Sequence, residues 1–322
     1  MTWTIASIGR AGVAVASVWA TLGVLAPWPV DAAPATRAPP LLIDLDEFDS
    51  MKKSVALPNG ITLGYVEFGD RSGRPVVLIH GYTDNARDWV PLIPFLAKSE
   101  HLIVVDIRGH GRSSKPECCY TRVDFAYDIK LLLDALKIDR ADVVGHSLGS
   151  IITQTFAEYW PERTRKVVLI SSTGGPNNCA APGAAPPKPP TLDFKSEIAK
   201  LHDPIDPESK FMVEWWSSPT PVDEGFLKRQ RRDAAAIPVK VWLAVLEQGL
   251  TGLDLQSTLA KLKAPTLLIW GAKDPIFGPV DRRTLQEGLP DARVVLYADF
   301  GHNPFWEDPA RVARDLDAFL AE

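Results

Sequence analysis

The chain has 322 residues, of which 46% are hydrophobic and 23% are charged, and its formal net charge is −5. This length and composition allow a full hydrophobic core, which argues against intrinsic disorder and favours one domain with an insertion. The basic cluster at residues 228–232 is too short to provide the positive surface that a nucleic-acid backbone requires. We therefore expect no nucleic-acid partner.

The amino-terminal segment differs in composition from the rest of the chain. Arg10 precedes an uncharged stretch at residues 11–26, which is followed by prolines and by Ala32-Ala33-Pro34-Ala35. This order is typical of a secretory signal peptide with a spacer, which we predict for residues 1–35. We expect a secreted or periplasmic protein. The uncharged stretch is also about as long as a marginal membrane span, so an uncleaved membrane anchor is the alternative.

From about residue 40, apolar strands alternate with amphipathic helices, a pattern typical of a parallel sheet covered on both faces. A hairpin is predicted over residues 53–56 and 61–68, because Asn59-Gly60 between them supports the positive φ values of a tight turn. Later strands are predicted at 76–79, 102–105, 142–144, 167–170, 266–270 and 294–297, and helices at 89–98, 123–136, 148–159, 281–287 and 310–320. The predicted fold is α/β, with a mostly parallel, twisted, eight-stranded sheet.

The alternation of strands and helices stops between residues 172 and 262. We interpret residues 173–262 as an inserted helical cap that divides the core into residues 36–172 and 263–322.

Two helices are predicted within this cap. One begins at Asp206 with a proline at its first position, and the other begins at Pro238. Trp215, Trp216 and Trp242 lie on these helices, where each ring either fills the cap's own core or contacts a ligand below it.

Three cysteines, Cys118, Cys119 and Cys179, follow the predicted signal peptide. An exported protein can form disulfide bonds, but an odd number of cysteines leaves at least one thiol free or intermolecular. Unpaired thiols are one alternative. The other is a bridge from Cys118 or Cys119 to Cys179, which would tether the start of the cap.

The run Gly145-His146-Ser147-Leu148-Gly149 lies between a predicted strand and a predicted helix, which is the context of a nucleophile elbow. A serine at such a turn projects its hydroxyl beyond the sheet edge. The two glycines remove Cβ atoms where strand and helix crowd together. Ser147 is therefore the predicted nucleophile.

Serine is a poor nucleophile at neutral pH, so it needs a base that is oriented by an acid. Asp274 and His302 follow the strands predicted at 266–270 and 294–297. The carboxyl ends of parallel strands share one edge of a sheet, so both side chains are expected near Ser147. Asp254 and Asp299 are alternative acids, although neither directly follows a strongly apolar strand.

An oxyanion formed by attack of Ser147 on a carbonyl group needs backbone N–H donors. The first predicted donor is the N–H of Leu148, directly after the nucleophile. The second is the N–H of Tyr82, in the loop His80-Gly81-Tyr82-Thr83-Asp84 that follows the strand at 76–79.

Together these motifs resemble the capped members of the α/β-hydrolase superfamily, a group that includes esterases, lactonases, cofactor-free haloperoxidase-like enzymes and carbon–carbon bond hydrolases. The resemblance extends from about residue 53 to the carboxyl terminus. The motifs that carry it are His80-Gly81, residues 106–113, residues 145–149, residues 270–274 and Gly301-His302.

This resemblance implies an α/β-hydrolase fold and a catalytic triad of Ser147, Asp274 and His302 without a cofactor. It also implies structural roles for His80, His110 and His146 as hydrogen-bonding residues of loops. Serine at the elbow argues against the alkyl-enzyme chemistry of the similar epoxide hydrolases and haloalkane dehalogenases, which use aspartate.

The expected activity is hydrolysis of carboxylic esters or lactones through an acyl-enzyme. Trp89 and Phe305 follow the loop motifs, and with Trp215, Trp216 and Trp242 they predict a small apolar or aromatic substrate, although packing is the alternative role of each ring. One alternative function is a carbon–carbon bond hydrolase acting on diketone-type compounds, and another is a catalytically silent ligand-binding module. No spacing of His, Cys and carboxylates in the sequence indicates a metal site.

Overall fold

The computed structural model of the protein describes residues 37–96, 100–175, 194–251 and 254–322. The predicted signal peptide and Cys179 lie outside the described residues. Cys118 and Cys119 are exposed and are not joined to each other, so the bridge to Cys179 stays a prediction. In the described part of the chain, the helices are too short or too polar to span a membrane.

A single eight-stranded sheet forms the centre of the fold. Its strands are β1 (Lys53–Ala56), β2 (Thr62–Gly69), β3 (Arg74–Ile79), β4 (Glu100–Asp106), β5 (Ala141–His146), β6 (Thr164–Ile170), β7 (Thr266–Gly271) and β8 (Arg293–Tyr297). They are ordered β1-β2-β4-β3-β5-β6-β7-β8 across the sheet. Strands β1 and β2 form the predicted hairpin, β2 runs antiparallel to β4, and all other pairs are parallel. The predicted α/β class and mostly parallel sheet are confirmed.

The helices follow the strands in the order expected of an α/β sheet. They are α1 (Leu45–Ser50), α2 (Ile93–Leu96), α3 (Arg122–Ala135), α4 (Leu148–Tyr159), α5 (Phe194–Ile198), α6 (Lys210–Trp215), α7 (Glu224–Ala235), α8 (Val239–Val245), α9 (Gln256–Leu259), α10 (Pro279–Gly288), α11 (Pro304–Glu307) and α12 (Pro309–Ala321). Helix α3 packs against α4, and α12 packs against α2 and α11. The strands β3, β4 and β5 are buried along most of their length, because helices cover both faces of a parallel sheet.

Two helix starts differ from the sequence prediction. The helix predicted at 89–98 is instead a 3₁₀ turn, Ala86–Trp89, followed by the short α2. Pro91 and Pro94 supply no N–H, so a continuous helical ladder cannot form there. The cap helix predicted to begin at Asp206 begins at Lys210, because Ser209 caps it by accepting the N–H of Met212.

The described residues between β6 and β7 form helices α5 to α9 and no strand. Hydrogen bonds from aromatic side chains join this helical segment to the loop after β3. The Tyr82 hydroxyl donates to the carbonyl of Trp242 at 2.7 Å, and the Trp215 indole donates to the Thr83 hydroxyl at 3.2 Å. The Trp216 indole donates to Asp84 Oδ1 at 3.1 Å. The helical segment is thus attached to the loop that carries the predicted oxyanion donor.

Candidate active site

Ser147 occupies a strained turn between β5 and α4, with φ 51° and ψ −118°. Such a backbone conformation costs a non-glycine residue on the order of 1–3 kcal/mol. Close packing holds it in place. A Cβ on Gly145 would lie 2.1 Å from the carbonyl oxygen of Gly149, and one on Gly149 would lie 2.1 Å from that of Ile79. The Ser147 N–H also donates to the carbonyl of Ile170 on the neighbouring β6 at 3.0 Å.

His302 and Asp274 form a hydrogen-bonded pair beyond the ends of β8 and β7. His302 Nδ1 lies 2.8 Å from Asp274 Oδ2. The other carboxylate oxygen accepts the N–H groups of Ile276 at 2.8 Å and Phe277 at 3.1 Å. Burial would raise the pKa of Asp274, but the charge of His302 and these hydrogen bonds outweigh it, so the pKa is lowered. Asp274 is therefore an ionised acceptor that orients the imidazole.

The backbone of His302 is fixed from the middle of the sheet. Its carbonyl lies 2.7 Å from the donating hydroxyl of Ser171 and 3.0 Å from His146 Nε2. The His146 and His302 rings are also in contact, with centroids 4.9 Å apart. Ser171 was not singled out from the sequence, because an isolated serine after a strand gives no signal of its own.

The two alternative acids have other partners. Asp299 lies 3.3 Å from the ammonium of Lys273, and Asp254 accepts the N–H of Ser257 near the start of α9. Among these candidates, Asp274 is the one that the structure places against His302.

Ser147 and His302 line one cavity of about 320 Å³. Its wall includes several large apolar side chains, namely Ile151, Trp215, Trp216, Leu246, Leu250 and Phe277. A smaller set of polar residues shares the wall, namely Asp84, Thr173, Glu214, Thr251 and Asn303. A mostly apolar cavity with a few polar groups beside a hydroxyl and an imidazole is typical of a small-molecule site.

The predicted aromatic contacts divide into two groups. Trp215 and Trp216 line the cavity. Trp89 and Phe305 are fully buried and stack on each other with ring centroids 4.6 Å apart. Trp242 is also fully buried, and it packs edge-on against Tyr82. These three rings are not among the residues that line the cavity, and the structure gives them the alternative role of packing.

The loop that carries Tyr82 is held by two histidines. His80 Nδ1 lies 2.8 Å from the carbonyl of Gly81, and its Nε2 accepts the N–H of Ile107. His110 is bound in the same way, with Nδ1 against the carbonyl of Arg108 and Nε2 accepting the N–H of Thr83. Each ring therefore donates at Nδ1 and accepts at Nε2, which requires the neutral form. Burial lowers the pKa of both histidines, that of His110 to about 4.

Three further titratable residues meet beside the cavity. Asp84, Asp88 and His146 are buried, and one potential ligand atom of each lies within 4.8 Å of the others. Burial and the charge of Asp88 raise the pKa of Asp84 well above its ordinary value. Asp84 and Asp88 had not been singled out from the sequence.

Comparisons with known proteins agree with this fold. A family model described as the alpha/beta hydrolase fold matches residues 74–309. Lipase 3 of Moraxella sp. (strain TA144) is 26% identical over 273 residues, which are 83% of this chain and 84% of that protein. A 2-hydroxy-6-oxononadienedioate/2-hydroxy-6-oxononatrienedioate hydrolase of Paraburkholderia phymatum is 32% identical over 261 residues, 77% of this chain and 87% of that protein. The crystal structure of a membrane phospholipase A has a TM-score of 0.70 and 25% identity, covering 84% of this chain and 85% of its own.

The family match spans most of the chain and includes the elbow, Asp274 and His302. The protein belongs to the alpha/beta hydrolase fold family, and the predicted superfamily is confirmed. Its relatives include enzymes named as lipases and hydrolases, so the chain is a member of a hydrolase family.

Proposed function

We propose that the protein is a serine hydrolase that cleaves carboxylic esters or lactones through an acyl-enzyme intermediate. One observation carries the proposal: His302, which is hydrogen-bonded to Asp274, lines the same cavity as Ser147. The strained elbow adds support, since such strain clusters at functional sites.

In the first half-reaction, His302 Nε2 removes the proton from Ser147 Oγ, which attacks the carbonyl carbon of the substrate. Asp274 keeps Nδ1 protonated and stabilises the imidazolium that forms. The oxyanion accepts hydrogen bonds from the N–H groups of Leu148 and Tyr82. Leu148 suits this role because it is the first residue of α4, where helical N–H groups have no internal acceptor.

The first half-reaction ends when the tetrahedral intermediate collapses to the acyl-enzyme and His302 donates its proton to the leaving alcohol. In the second half-reaction, water loses a proton to His302 and attacks the acyl carbon, forming a second oxyanion at the same donors. Collapse of this intermediate releases the carboxylic acid and returns the proton to Ser147.

The substrate that the cavity suits best is a small ester or lactone with an apolar or aromatic acyl group. Support comes from the apolar wall, in which Trp215, Trp216 and Phe277 provide broad flat surfaces. A small substrate is also favoured by the cavity volume of about 320 Å³, which lies at the lower end of ligand pockets.

A carbon–carbon bond hydrolase is the second candidate function. The relative that is 32% identical is named as a 2-hydroxy-6-oxononadienedioate/2-hydroxy-6-oxononatrienedioate hydrolase, and its reaction could use the same three residues. Diketone-type substrates assayed beside aryl esters separate the two functions. A higher kcat/KM for the diketone would favour the second.

The amino-terminal segment supports a further part of the proposal, that the protein is exported. Its charged start, uncharged stretch and small-residue run have the order of a signal peptide. The intact mass of protein recovered outside the cytoplasm tests this. A mass that retains residues 1–35 would contradict cleavage and favour the membrane anchor.

The central test uses Ser147→Ala together with a fluorophosphonate probe, which labels an activated serine. We expect the wild-type protein to hydrolyse a short-chain aryl ester and to be labelled, and the variant to lose both properties with its thermal unfolding little changed. Ser171→Ala, which removes a nearby hydroxyl that bonds to the His302 carbonyl, should retain labelling. An active, folded alanine variant at position 147 would reject the proposal, and an unlabelled, inactive wild type would favour the silent binding module.

A further inference from the structure

The cluster of Asp84, Asp88 and His146 has an arrangement that the proposed hydrolysis does not use. Asp84 and Asp88 belong to the loop and 3₁₀ turn after β3, and His146 is the last residue of β5. An indole N–H holds one oxygen of each carboxylate: Trp216 binds Asp84 Oδ1 at 3.1 Å, and Trp306 binds Asp88 Oδ1 at 2.8 Å. The second oxygen of each carboxylate is therefore available to another partner.

These available atoms converge on one ring nitrogen. Asp88 Oδ2 lies 3.5 Å from His146 Nδ1. A Cβ at Gly81 would lie 3.1 Å from Asp84 Oδ2 and 3.0 Å from the same nitrogen, so glycine leaves this space clear. Asp88 Oδ2 and His146 Nδ1 are both buried and lack a hydrogen-bond partner among the described residues.

The other ring nitrogen fixes the chemistry of this cluster. His146 Nε2 lies 3.0 Å from the carbonyl of His302, which can only accept, so Nε2 carries a hydrogen. In the neutral ring, Nδ1 then presents its lone pair to two carboxylates, which also present lone pairs. Within the described parts of the chain, neither Asp84 nor Asp88 forms an ion pair with a lysine or an arginine. The three side chains thus bring one potential metal-ligand atom each to within 4.8 Å of the others.

We propose that Asp84, Asp88 and His146 bind one divalent cation of the zinc class. One imidazole and two carboxylates form a ligand set that suits zinc. Tetrahedral bonds of zinc length separate ligand atoms by roughly 3.4 Å, close to the 3.5 Å between Asp88 Oδ2 and His146 Nδ1.

The surroundings resemble those of protein metal ligands in general. The imidazole donates its second N–H to a backbone carbonyl and each carboxylate accepts an indole N–H, which is how outer hydrogen bonds orient metal-binding side chains. Asp84 and His146 also line the catalytic cavity, which provides an entry path and leaves a fourth coordination position for water or substrate. The ion links the loop after β3 to the end of β5.

The test measures zinc binding by the full chain, so its outcome is independent of hydrolytic activity. All three cysteines are replaced by serine beforehand, because the exposed thiols of Cys118 and Cys119 would themselves bind zinc. After dialysis against a chelator, calorimetric titration with zinc chloride is expected to show one tight site per chain. Thermal unfolding should shift upward with added zinc, since a ligand that binds the folded state stabilises it.

Asp88→Asn is the decisive variant. Its amide oxygen still accepts the N–H of Trp306, and its amide nitrogen can donate to His146 Nδ1, so the variant should fold without metal. We expect its zinc affinity to fall by about 100-fold or more, since it loses a ligand, and its unfolding temperature to stop responding to zinc. Asp84→Asn, which keeps an acceptor for Trp216, is the second variant and should behave alike.

Glu307→Gln is the matched control. Glu307 is also a buried carboxyl near the site, but it accepts from Thr220 and from the N–H of Gly301 and lies outside the cluster. This variant should bind zinc as the cysteine-free parent does. Absence of tight binding by the parent, or equal binding by the parent and Asp88→Asn, would overturn the proposal. A stability that responds to pH but not to zinc would place a shared proton among the three side chains and would also overturn it.

Discussion

At the residue scale, the contact between Asp274 and His302 determines whether the imidazole can act as a base. Nδ1 faces a carboxylate that only accepts, so the proton stays on Nδ1 and the lone pair stays on Nε2. The two backbone N–H groups on the other carboxylate oxygen prevent the side chain from rotating away. Orientation and tautomer are therefore set by the same carboxyl group.

The change Asp274→Asn tests this arrangement. Its oxygen can still accept from Ile276 and Phe277, but its amide nitrogen would donate to Nδ1 and move the ring hydrogen to Nε2, which removes the base. We expect kcat/KM on an aryl ester to fall on the order of 10³–10⁴-fold, with thermal unfolding little changed. Stopped-flow or steady-state assays measure the loss.

Asp299→Asn is the matched control for this change, because Asp299 is half-exposed and pairs with Lys273 instead. It should keep the wild-type rate. A large loss of kcat/KM in Asp299→Asn together with a small loss in Asp274→Asn would show that Asp274 is not the acid that orients His302.

At the scale of single elements, the turn from β5 to α4 depends on backbone packing that leaves no room for side chains. Gly149 lies against the carbonyl of Ile79 on the adjacent β3. A methyl group there would collide with rigid backbone, which cannot be relieved by rotating a side chain.

We therefore expect Gly149→Ala to lower the free energy of unfolding by about 3 kcal/mol or more, or to prevent folding. Urea denaturation followed by circular dichroism measures the change. The comparison is Gly278→Ala at the start of α10, where a Cβ would have nothing within 4 Å. That change should cost about 1 kcal/mol or less. Equal effects at the two positions would show that the elbow is not tightly packed.

The elements were predictable from the sequence where the signal is local. Strands that are apolar along their whole length, and a glycine-flanked serine between strand and helix, depend on neighbouring residues alone. They fixed β3 to β7, α4 and the loops of Ser147, Asp274 and His302. The helix predicted at 89–98 is shorter in the structure because Pro91 and Pro94 supply no N–H to a helical ladder, and proline acts on the backbone whatever the apolar pattern around it.

Contacts between distant segments were not predictable in the same way. Trp89 and Trp216 are both tryptophans near site motifs, yet one stacks in the core and the other lines the cavity. Asp84 and Asp88 stand in an ordinary polar loop, and only folding brings His146 against them. No periodicity or spacing within the chain encodes either outcome.

At the scale of the whole molecule, buried neutral histidines link stability to pH. His110 has a pKa near 4 in the folded protein, against an ordinary value of 6.5. Between these values the unfolded chain binds a proton that the folded chain does not. Above pH 6.5, His110 therefore makes its full contribution to the free energy of unfolding. This contribution is lost as the pH falls toward 4.

Between pH 4 and 6.5, we expect His110→Gln to lower the slope of the free energy of unfolding against pH by about 1.4 kcal/mol per pH unit. Urea denaturation at several pH values measures the slope, which can be compared even if the variant is less stable throughout. His202→Gln, at an exposed position, should leave the slope unchanged. Parallel slopes for wild type and His110→Gln would show that this ring is protonated in the folded protein.

The proposed catalytic groups differ in what anchors them. The elbow and the backbone of His302 are tied to β6 and to the residue that follows it, through Ile170 and Ser171. The helical segment between β6 and β7 instead forms hydrogen bonds with the loop that carries Tyr82. Replacing this segment with that of another protein should therefore change the position of the Tyr82 N–H and the specificity for the acyl group. The alignment of Ser147, His302 and Asp274 should stay the same. That division marks residues 194–251 as the region to randomise when a new substrate range is sought.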